Sequence, residues 1–475
     1  MKLRVSWAVL ALVFFISAWA QAATASGRDC HLPGSEAGLR CHAIAVPLDP
    51  QHPDGDKLQL HVTVAPAFRQ VASPDPLFVL AGGPGQAGSS IVATHATVFQ
   101  RVRATRDIVF IDQRGTGRSG KLRCAGTPLD AAANDAEMRD GFARCVTTLK
   151  HPLALYTTAN AAHDLERVRV ALGYGKVNLF GGSYGTRLGQ AYARSYPDSV
   201  RALILDGVAA PELVIPASAA AAQRALDGVF ARCAGDQACA RAFPALRSEF
   251  ASLLARVDAG AVTLDFAHPR TAQPTRLPLS NMRFAYTIQR SLYSPRDSQR
   301  LPYLIHSAAL GNWGPFLARG FAATDLSPEG ELAMPLLLAV LCAEDIPRLS
   351  PALREADERG SFLRGHAGRI AALCPMTGTA AAAPPSARPI HAPALLLSGA
   401  LDPVTPPSGA ASAARAMPNA QQVVVRHAGH GVSMLACAPR LLREFLDQPH
   451  QALNARCLDD VTLPAFQLGH AGTQP

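Results

Sequence analysis

Short apolar runs recur along the chain and predict a sheet that is covered on both faces. Each run is apolar almost throughout, which is typical of parallel strands with helices on either side. Helical periodicity appears between the runs; residues 161–172, for example, place Leu165, Val168 and Leu172 on one face. This alternation predicts an α/β fold with a doubly wound, mostly parallel sheet. The predicted strands are residues 43–48, 58–64, 77–81, 108–112, 177–180, 202–206, 394–398 and 422–426.

The long segment between the strands at 202–206 and 394–398 has a different pattern. It opens with helical patterns at 216–229 and 244–257, and a Pro-, Thr- and Arg-rich stretch at 267–278 interrupts them. We therefore expect a mainly helical cap inserted into one core domain. The predicted division is a core formed by residues 23–210 and 391–475, and a cap formed by residues 211–390.

Residues 177–189 combine an apolar strand, a tight turn centred on Ser183 and the start of a helix. This is the G-x-S-x-G pattern in the strand–turn–helix context that makes the serine a nucleophile. Gly181 and Gly185 remove the β-carbons that would clash where strand and helix converge. The amide of Tyr184 falls at the helix start, where N–H groups can hold an oxyanion. A chance match in a chain rich in glycine and alanine is the alternative interpretation.

A serine nucleophile of this kind needs an acid and then a histidine further along the chain. Asp402 follows the strand at 394–398 and is the predicted acid, which would orient the histidine and stabilise its charged form. Asp206, at the end of the strand at 202–206, is an alternative acid. Asp112 also ends a strand, but we expect it to fix its own turn.

Two histidines follow the strand at 422–426. His430 lies between two glycines, in a loop that is free to reach Ser183, and it is therefore the predicted base. His427 adjoins the strand directly and is the alternative, although it is more simply interpreted as a strand-end residue.

Gly82 and Gly83 follow the strand at 77–81 and predict a second oxyanion donor. Glycines there allow the backbone to approach a substrate oxygen closely. A phosphate-binding loop is the competing interpretation, but the spacing matches neither G-x-G-x-x-G nor a P-loop with its lysine. Because the cysteines and histidines lack metal-ligand spacing, we expect no metal.

Taken together, these motifs resemble the α/β-hydrolase exopeptidases of the prolyl aminopeptidase and tripeptidyl aminopeptidase family. The resemblance covers residues 30–210 and 338–450. Ala81 stands where prolyl aminopeptidases usually have histidine, which moves the chain towards the tripeptidyl branch and away from strict proline preference. The matching motifs are Ala-Val-Pro-Leu-Asp at 45–49, Gly-Gly-Pro-Gly at 82–85, Asp-Gln-Arg-Gly-Thr-Gly-Arg-Ser at 112–119, Gly-Gly-Ser-Tyr-Gly at 181–185, Leu-Asp-Gly-Val at 205–208 and Leu-Cys-Ala-Glu-Asp at 341–345.

The resemblance implies an α/β-hydrolase fold and a serine aminopeptidase that uses no cofactor. Such an enzyme releases short N-terminal units, aminoacyl or tripeptidyl, from peptides with a free N-terminus through an acyl-enzyme. A carboxylate would recognise the free amine; Glu344 is the first candidate and Asp345 the second, although a solvated helix end is the simpler interpretation of this acidic pair. An ester hydrolase or lactonase with the same triad is the alternative function, and an inactive binding protein is a further one.

The amino terminus predicts a signal peptide over residues 1–22, because Lys2 and Arg4 precede an apolar stretch and a small-residue cleavage site. We therefore expect an exported protein, periplasmic or extracellular, without a stable membrane anchor. The net charge of +9 is dispersed, with no polybasic run, so nucleic acid is not an expected partner; the oligomeric state stays open. Ten cysteines predict disulfides of open connectivity. As sequential couples they are Cys30/Cys41, Cys124/Cys145, Cys233/Cys239, Cys342/Cys374 and Cys437/Cys457.

Overall fold

A computed structural model of the chain describes residues 27–124, 134–267, 272–324 and 332–473. The predicted signal peptide, residues 1–22, lies outside these ranges, as does part of the Pro-, Thr- and Arg-rich stretch. Among the helices within these ranges, none combines the length and the apolar character needed to cross a bilayer.

A nine-stranded sheet forms the centre of the fold. In spatial order, its first three strands pair antiparallel, the third also pairs antiparallel with the fourth, and the fourth to the ninth run parallel to one another. The predicted doubly wound, mostly parallel sheet is thus confirmed, and each predicted strand is present with ends shifted by a few residues. In spatial order the strands are β1 (Arg28–Cys30), β2 (Leu39–Pro47), β3 (Lys57–Ala65), β5 (Ile108–Ile111), β4 (Leu77–Leu80), β6 (Val177–Gly182), β7 (Val200–Asp206), β10 (Ala394–Gly399) and β11 (Ala420–Val425).

Helices cover both faces of this sheet because successive strand residues point to opposite sides. In β6, Leu179 joins the apolar cluster under one helical layer and Phe180 joins the cluster under the other. Both residues are buried, which explains why the central strands are apolar throughout. The helices of the core are α1 (Val92–Arg103), α2 (Asp135–Thr148), α3 (Thr158–Ala171), α4 (Tyr184–Ser195), α15 (Pro407–Ala414) and α16 (Ala438–Asp447).

The segment between β7 and β10 is mainly helical and builds an apolar cluster of its own around Phe250, Phe284 and Phe316. The predicted division into core and cap by residue ranges stays a prediction. The helices of this segment are α5 (Ala219–Gly235), α6 (Gln237–Ala242), α7 (Leu246–Asp258), α8 (Asn281–Leu292), α9 (Pro295–Ser298), α10 (Leu301–Ala309), α11 (Gly314–Thr324), α12 (Met334–Val340), α13 (Pro351–Glu358) and α14 (His366–Leu373).

Two details of this segment differ from the sequence prediction. The helix expected over 216–229 begins at Ala219 and continues to Gly235. Part of the stretch at 267–278 forms a strand, β9 (Pro274–Pro278), which pairs with β8 (Thr263–Ala267) in a hairpin. Most residues of this hairpin are exposed or half-buried, so the apolar pattern that marks the core strands is missing.

All ten cysteines form disulfides, and the sequential couples are confirmed. The Cys342–Cys374 bond is important for the site, because Cys342 lies in the π-helical turn Leu341–Asp345 that carries both candidate amine-binding carboxylates. This turn continues directly from α12.

Candidate active site

Ser183 lies in a strained turn between β6 and α4. Its backbone has φ 56° and ψ −123°, a conformation that a residue with a side chain rarely adopts. The turn is tight enough that a β-carbon on Gly185 would come within 2.1 Å of the carbonyl oxygen of Leu80. Only glycine fits there, so the local sequence forces the nucleophile-elbow geometry in which the serine side chain stands above the sheet.

His430 and Asp402 are in direct contact at the edge of the sheet where Ser183 lies. Nδ1 of His430 lies 2.8 Å from Oδ2 of Asp402, and the carboxylate is fully shielded from solvent. The amides of Val404 and Thr405 donate to Oδ1 of Asp402 at 2.9 and 2.8 Å. Because Nδ1 faces the carboxylate, Nε2 is the nitrogen of His430 that is left to exchange a proton.

Thr405 is a part of this site that sequence reasoning missed. Its hydroxyl donates to Oδ2 of Asp402 at 2.7 Å and lies 3.0 Å from Nδ1 of His430. The hydroxyl therefore fixes the same carboxylate oxygen that the imidazole contacts. A threonine shortly after a predicted acid was the only available signal, and many turns carry one.

The His430–Asp402 contact shifts the pKa of both groups. Burial alone would lower the pKa of His430, but the charge and hydrogen bond of Asp402 outweigh burial and raise it above its ordinary value. Burial alone would raise the pKa of Asp402, but the attraction and hydrogen bond of His430, with the Thr405 and Val404 amides, lower it. The pair thus favours a charged imidazole next to a charged carboxylate.

Asp206, the alternative acid, has a different set of partners. Its carboxylate accepts hydrogen bonds from the amides of Val432 at 2.8 and 3.0 Å and Ser433 at 2.8 Å. Its carbonyl oxygen accepts the amide of Ser183 at 2.9 Å. Asp206 therefore ties the loop that follows His430 to the backbone that carries the serine, and it does not contact the imidazole nitrogens.

The other two alternatives also have local partners. Asp112 accepts the amides of Ser89 at 2.7 Å and Arg118 at 2.8 Å, so it fixes its own turn. His427 directs Nδ1 to the carbonyl oxygen of Val461, 2.8 Å away. Neither residue is brought to the pair formed by His430 and Asp402.

The glycine loop after β4 packs against the serine. A β-carbon on Gly82 would lie 3.2 Å from Cβ of Ser183, so the loop backbone is adjacent to the nucleophile position. Gly83 follows with φ 107°. On the other side, α4 begins at Tyr184, and the first N–H groups of a helix have no partner within it. The residues predicted as oxyanion donors thus lie on either side of Ser183.

Glu344 contacts the core through the start of α3. Its two carboxylate oxygens accept the amide of Thr158 at 2.8 Å and the Thr158 hydroxyl at 2.7 Å. That hydroxyl also lies 2.7 Å from the phenol oxygen of Tyr184, the residue next to Ser183. Burial raises the pKa of Glu344, although the Thr158 hydrogen bonds and the charge of Arg187 oppose this. Each oxygen retains a lone pair for a further donor.

Asp345 is fully buried and its oxygens are occupied. Oδ2 accepts Nη1 of Arg187 at 2.9 Å, and Oδ1 accepts the amide of Ile215 at 2.9 Å and Nη2 of Arg348 at 3.3 Å. Arg187 belongs to α4, so this ion pair joins the turn carrying Glu344 to the helix that follows the serine. Because its side chain is fully buried, Asp345 is suited to positioning this turn rather than to meeting a substrate amine.

Tyr293 and Arg290, at the end of α8, border the site from the inserted segment. The amide of His430 donates to the carbonyl oxygen of Tyr293 at 2.7 Å, and the two rings meet edge to face with centroids 4.7 Å apart. The guanidinium carbon of Arg290 lies 4.3 Å from the centre of the Tyr293 ring. Sequence reasoning missed both residues, because the contact depends on how the inserted segment folds over the sheet.

Comparisons with known proteins agree with this fold. A family model described as "alpha/beta hydrolase fold" matches residues 75–436. The chain is similar to the serine protease Hip1 of Mycobacterium tuberculosis, with 35% identity over 204 residues, which are 39% of this chain and 38% of that protein. It is also similar to the tripeptidyl aminopeptidase of Streptomyces coelicolor, with 31% identity over 196 residues, 36% of each chain.

A third similar protein is the proline iminopeptidase of Neisseria gonorrhoeae, with 34% identity over 146 residues, 30% of this chain and 36% of that protein. These matches confirm the resemblance to prolyl and tripeptidyl aminopeptidases over part of the chain. Each match spans less than two fifths of the relative's own length.

Proposed function

Because the chain belongs to the α/β-hydrolase fold family, we propose that it is a serine aminopeptidase that releases short N-terminal units from peptides. One observation carries the proposal: the strained Ser183 lies at the edge of the sheet where His430 contacts Asp402 at 2.8 Å. This set of side chains matches the requirements of nucleophilic acyl transfer. The names of two relatives, an aminopeptidase and an iminopeptidase, support the choice of peptides as substrates.

In the proposed reaction, the Ser183 oxygen attacks the scissile carbonyl carbon and His430 takes the hydroxyl proton on Nε2. Asp402, which lies against Nδ1 of His430, stabilises the resulting imidazolium. The negative oxygen of the tetrahedral intermediate accepts N–H groups from Tyr184 and from the Gly82 loop. His430 then protonates the leaving amine as the C–N bond breaks. Water, deprotonated by His430, attacks the acyl-enzyme, and the released serine oxygen regains the proton.

Glu344 is the proposed binding group for the free amine of the substrate. It is a carboxylate linked through Thr158 to Tyr184, the residue next to Ser183, and each of its oxygens can accept one more donor. A partly desolvated carboxylate attracts an ammonium more strongly than a solvated one. The Asp345–Arg187 ion pair supports this assignment indirectly, because it fixes the turn on which Glu344 lies.

We also propose that the protein is exported. The predicted signal peptide and the pairing of all ten cysteines support an oxidising compartment. The test is fractionation of cells that express the full chain or a form lacking residues 2–22. We expect activity outside the cytosol for the full chain and in the cytosol for the shortened form; equal distribution of the two would contradict export.

The test of the peptidase activity is hydrolysis of an alanyl-prolyl-alanyl fluorogenic amide with its amine free or acetylated. We expect cleavage of the free form, strong discrimination against the acetylated form, and a loss of about a million-fold in kcat for Ser183→Ala. Cleavage of neither peptide, with an activated ester still hydrolysed, would replace the peptidase proposal by the ester hydrolase alternative.

A further inference from the structure

Arg290 is a half-buried cation with no carboxylate of the described residues at ion-pair distance. Its guanidinium carbon lies over the Tyr293 ring, and its Nε is shielded from solvent with no hydrogen-bond partner among those residues. A buried charge without a counter-charge is costly unless a ligand compensates it. The described part of the site therefore has an unmet requirement for an anion next to this side chain.

The carboxylate that acts electrostatically on Arg290 is shared with other arginines. Asp297 supports the charge of Arg290, as does Tyr293, but the Asp297 carboxylate already pairs with Arg319 at 2.9 Å and Arg300 at 3.7 Å. Nε of Arg319 is also buried without a hydrogen-bond partner. Three arginines thus share one carboxylate at this end of α8, and the excess charge favours an anionic ligand.

The position of Arg290 relative to His430 identifies the part of the substrate that it would meet. Tyr293 contacts both side chains, with its ring centroid 4.7 Å from that of the imidazole and 4.3 Å from the guanidinium carbon. In the proposed reaction His430 donates its proton to the leaving nitrogen, so the groups around its imidazole border the leaving fragment. Arg290 is one aromatic ring away from that imidazole and acts electrostatically on it.

The chemistry of the guanidinium suits recognition of a carboxylate. Its carbon lies 4.3 Å from the centre of the Tyr293 ring, and one of its donors also interacts with the Tyr293 side chain. A guanidinium has five N–H donors, and the one on Nε has no partner among the described residues. Such donors have the fork geometry that binds a carboxylate through two parallel hydrogen bonds.

We propose that Arg290 is a specificity-determining residue that binds a carboxylate on the leaving fragment of the substrate. Two groups have this chemistry: the α-carboxylate of a short peptide that ends soon after the scissile bond, and the side chain of an Asp or Glu that follows it. The inference rests on the proposed function, since it uses the roles of Ser183 and His430 to define the leaving side.

The test compares matched peptides that differ only in this charge. One pair carries a free carboxylate or an amide at the end of the leaving fragment; a second pair, amidated at its end, carries Glu or Gln directly after the scissile bond. The proteins are the wild type, Arg290→Gln, Arg290→Lys and the control Arg276→Gln, whose arginine is exposed on β9, each checked for folding by thermal unfolding.

For the wild type we expect a lower KM for the charged member of at least one pair. A response in the first pair identifies the terminal carboxylate as the ligand, and a response in the second pair identifies the acidic side chain. Arg290→Gln should raise that KM by about tenfold to a hundredfold with kcat retained, the range for hydrogen bonds to charged groups. Arg290→Lys should restore part of the preference, and Arg276→Gln should retain all of it. Equal KM values within both pairs for the wild type, or an equal rise for charged and neutral members in Arg290→Gln, would overturn the proposal.

A pair of ester substrates separates this inference from the peptidase proposal. Acetate esters of 4-hydroxybenzoate and 4-hydroxybenzamide differ in the same way in their leaving groups. If no peptide is cleaved, but Arg290→Gln raises KM only for the benzoate ester, the peptidase proposal fails and the role of Arg290 stands. If peptides are cleaved with no charge preference in either pair, the role of Arg290 fails and the peptidase proposal stands.

Discussion

The two sides of His430 differ in how their charged groups are satisfied. On the sheet side, the carboxylates of Asp402 and Asp206 accept hydrogen bonds from backbone amides of the loops that follow β10 and β11. On the side of the inserted segment, Arg290 has no carboxylate partner among the described residues, and Glu344 retains acceptor capacity. The sheet side is complete without a ligand, whereas the inserted side has groups that a ligand can complete.

This difference separates the chemistry from the selection of substrates. Groups that stabilise a transition state are most effective when their dipoles are fixed before the reaction, as the backbone amides around Asp402 are. Groups that select a substrate gain most when the substrate supplies the missing partner. We therefore expect substitutions on the sheet side to reduce kcat for every substrate, and substitutions on the inserted side to change KM for particular substrates.

The largest expected effect separates the two carboxylates of the sheet side. Asp402→Asn should reduce kcat by about ten-thousand-fold while the fold is retained, since a neutral amide favours the wrong tautomer of His430 and cannot stabilise its charged form. Asp206→Asn should instead reduce the free energy of unfolding by about 1–3 kcal/mol, because it weakens the hydrogen bonds from Val432 and Ser433. Steady-state kinetics and urea unfolding of both variants test this. An equal loss of kcat in two folded variants would contradict the assignment of Asp402.

The next effect concerns the Arg187–Asp345 ion pair, which joins α4 to the turn that carries Glu344. Arg187→Met should reduce the free energy of unfolding by about 3–5 kcal/mol, because it leaves the buried carboxylate of Asp345 with only the more distant charge of Arg348, at 3.3 Å. Arg415, whose side chain is 75% exposed and pairs with Glu212 at 3.6 Å, provides the control: Arg415→Met should change stability by less than about 0.5 kcal/mol. Urea unfolding measures both. A similar loss of unfolding free energy in the two variants would show that Arg187 does not stabilise Asp345.

A smaller effect tests the amine-binding role of Glu344. Glu344→Gln retains the shape but removes the charge, and we expect KM for a free-amine peptide to rise about tenfold to a hundredfold. The rate of hydrolysis of an uncharged ester should stay unchanged. Glu355, exposed on α13, provides the matched control Glu355→Gln, which should leave both substrates unaffected. If Glu344→Gln lowers activity equally on the peptide and on the ester, Glu344 does not bind the amine and serves only through its contact with Thr158.

The smallest effect is a shift of the pH profile of kcat/KM. His430 must be neutral to accept the serine proton, and Asp402 raises its pKa, so the acidic limb of kcat/KM should lie above the ordinary histidine value of 6.5. Asp402→Asn should move that limb to lower pH. Burial raises the pKa of Glu344, so this carboxylate loses its charge at a higher pH than an ordinary glutamate. As the pH falls, KM for a free-amine peptide should therefore begin to rise while the pH is still above the ordinary glutamate pKa of 4.5. A limb that stays in place in Asp402→Asn would contradict the electrostatic coupling.

The sequence alone predicted the sheet and the Ser183 motif because both depend on local rules. The central strands are apolar on both faces, and the turn at Ser183 requires glycine next to it. The choice of His430 over His427 also used a local cue, its position between two glycines. Patterns of this kind can be recognised before any long-range contact is known.

The parts that the sequence could not predict depend on long-range packing. The contact of Tyr293 with His430 joins residues from the inserted segment and from the end of the sheet. The burial of Asp345, which excludes it from amine binding, depends on Arg187 in a distant helix. In both cases, the residue types are common in helices, and only the arrangement of helices on the sheet shows what they contact.

The most direct test of the central claim is reaction with a fluorophosphonate, followed by peptide mapping. The serine oxygen displaces fluoride from phosphorus only when it is activated as a nucleophile. We predict one adduct in the tryptic peptide of residues 177–187, located on Ser183, with slower labelling in Asp402→Asn and none in Ser183→Ala. An adduct on another serine, or equal labelling of Ser183→Ala and the wild type, would contradict the assignment of Ser183 as the nucleophile activated by His430 and Asp402.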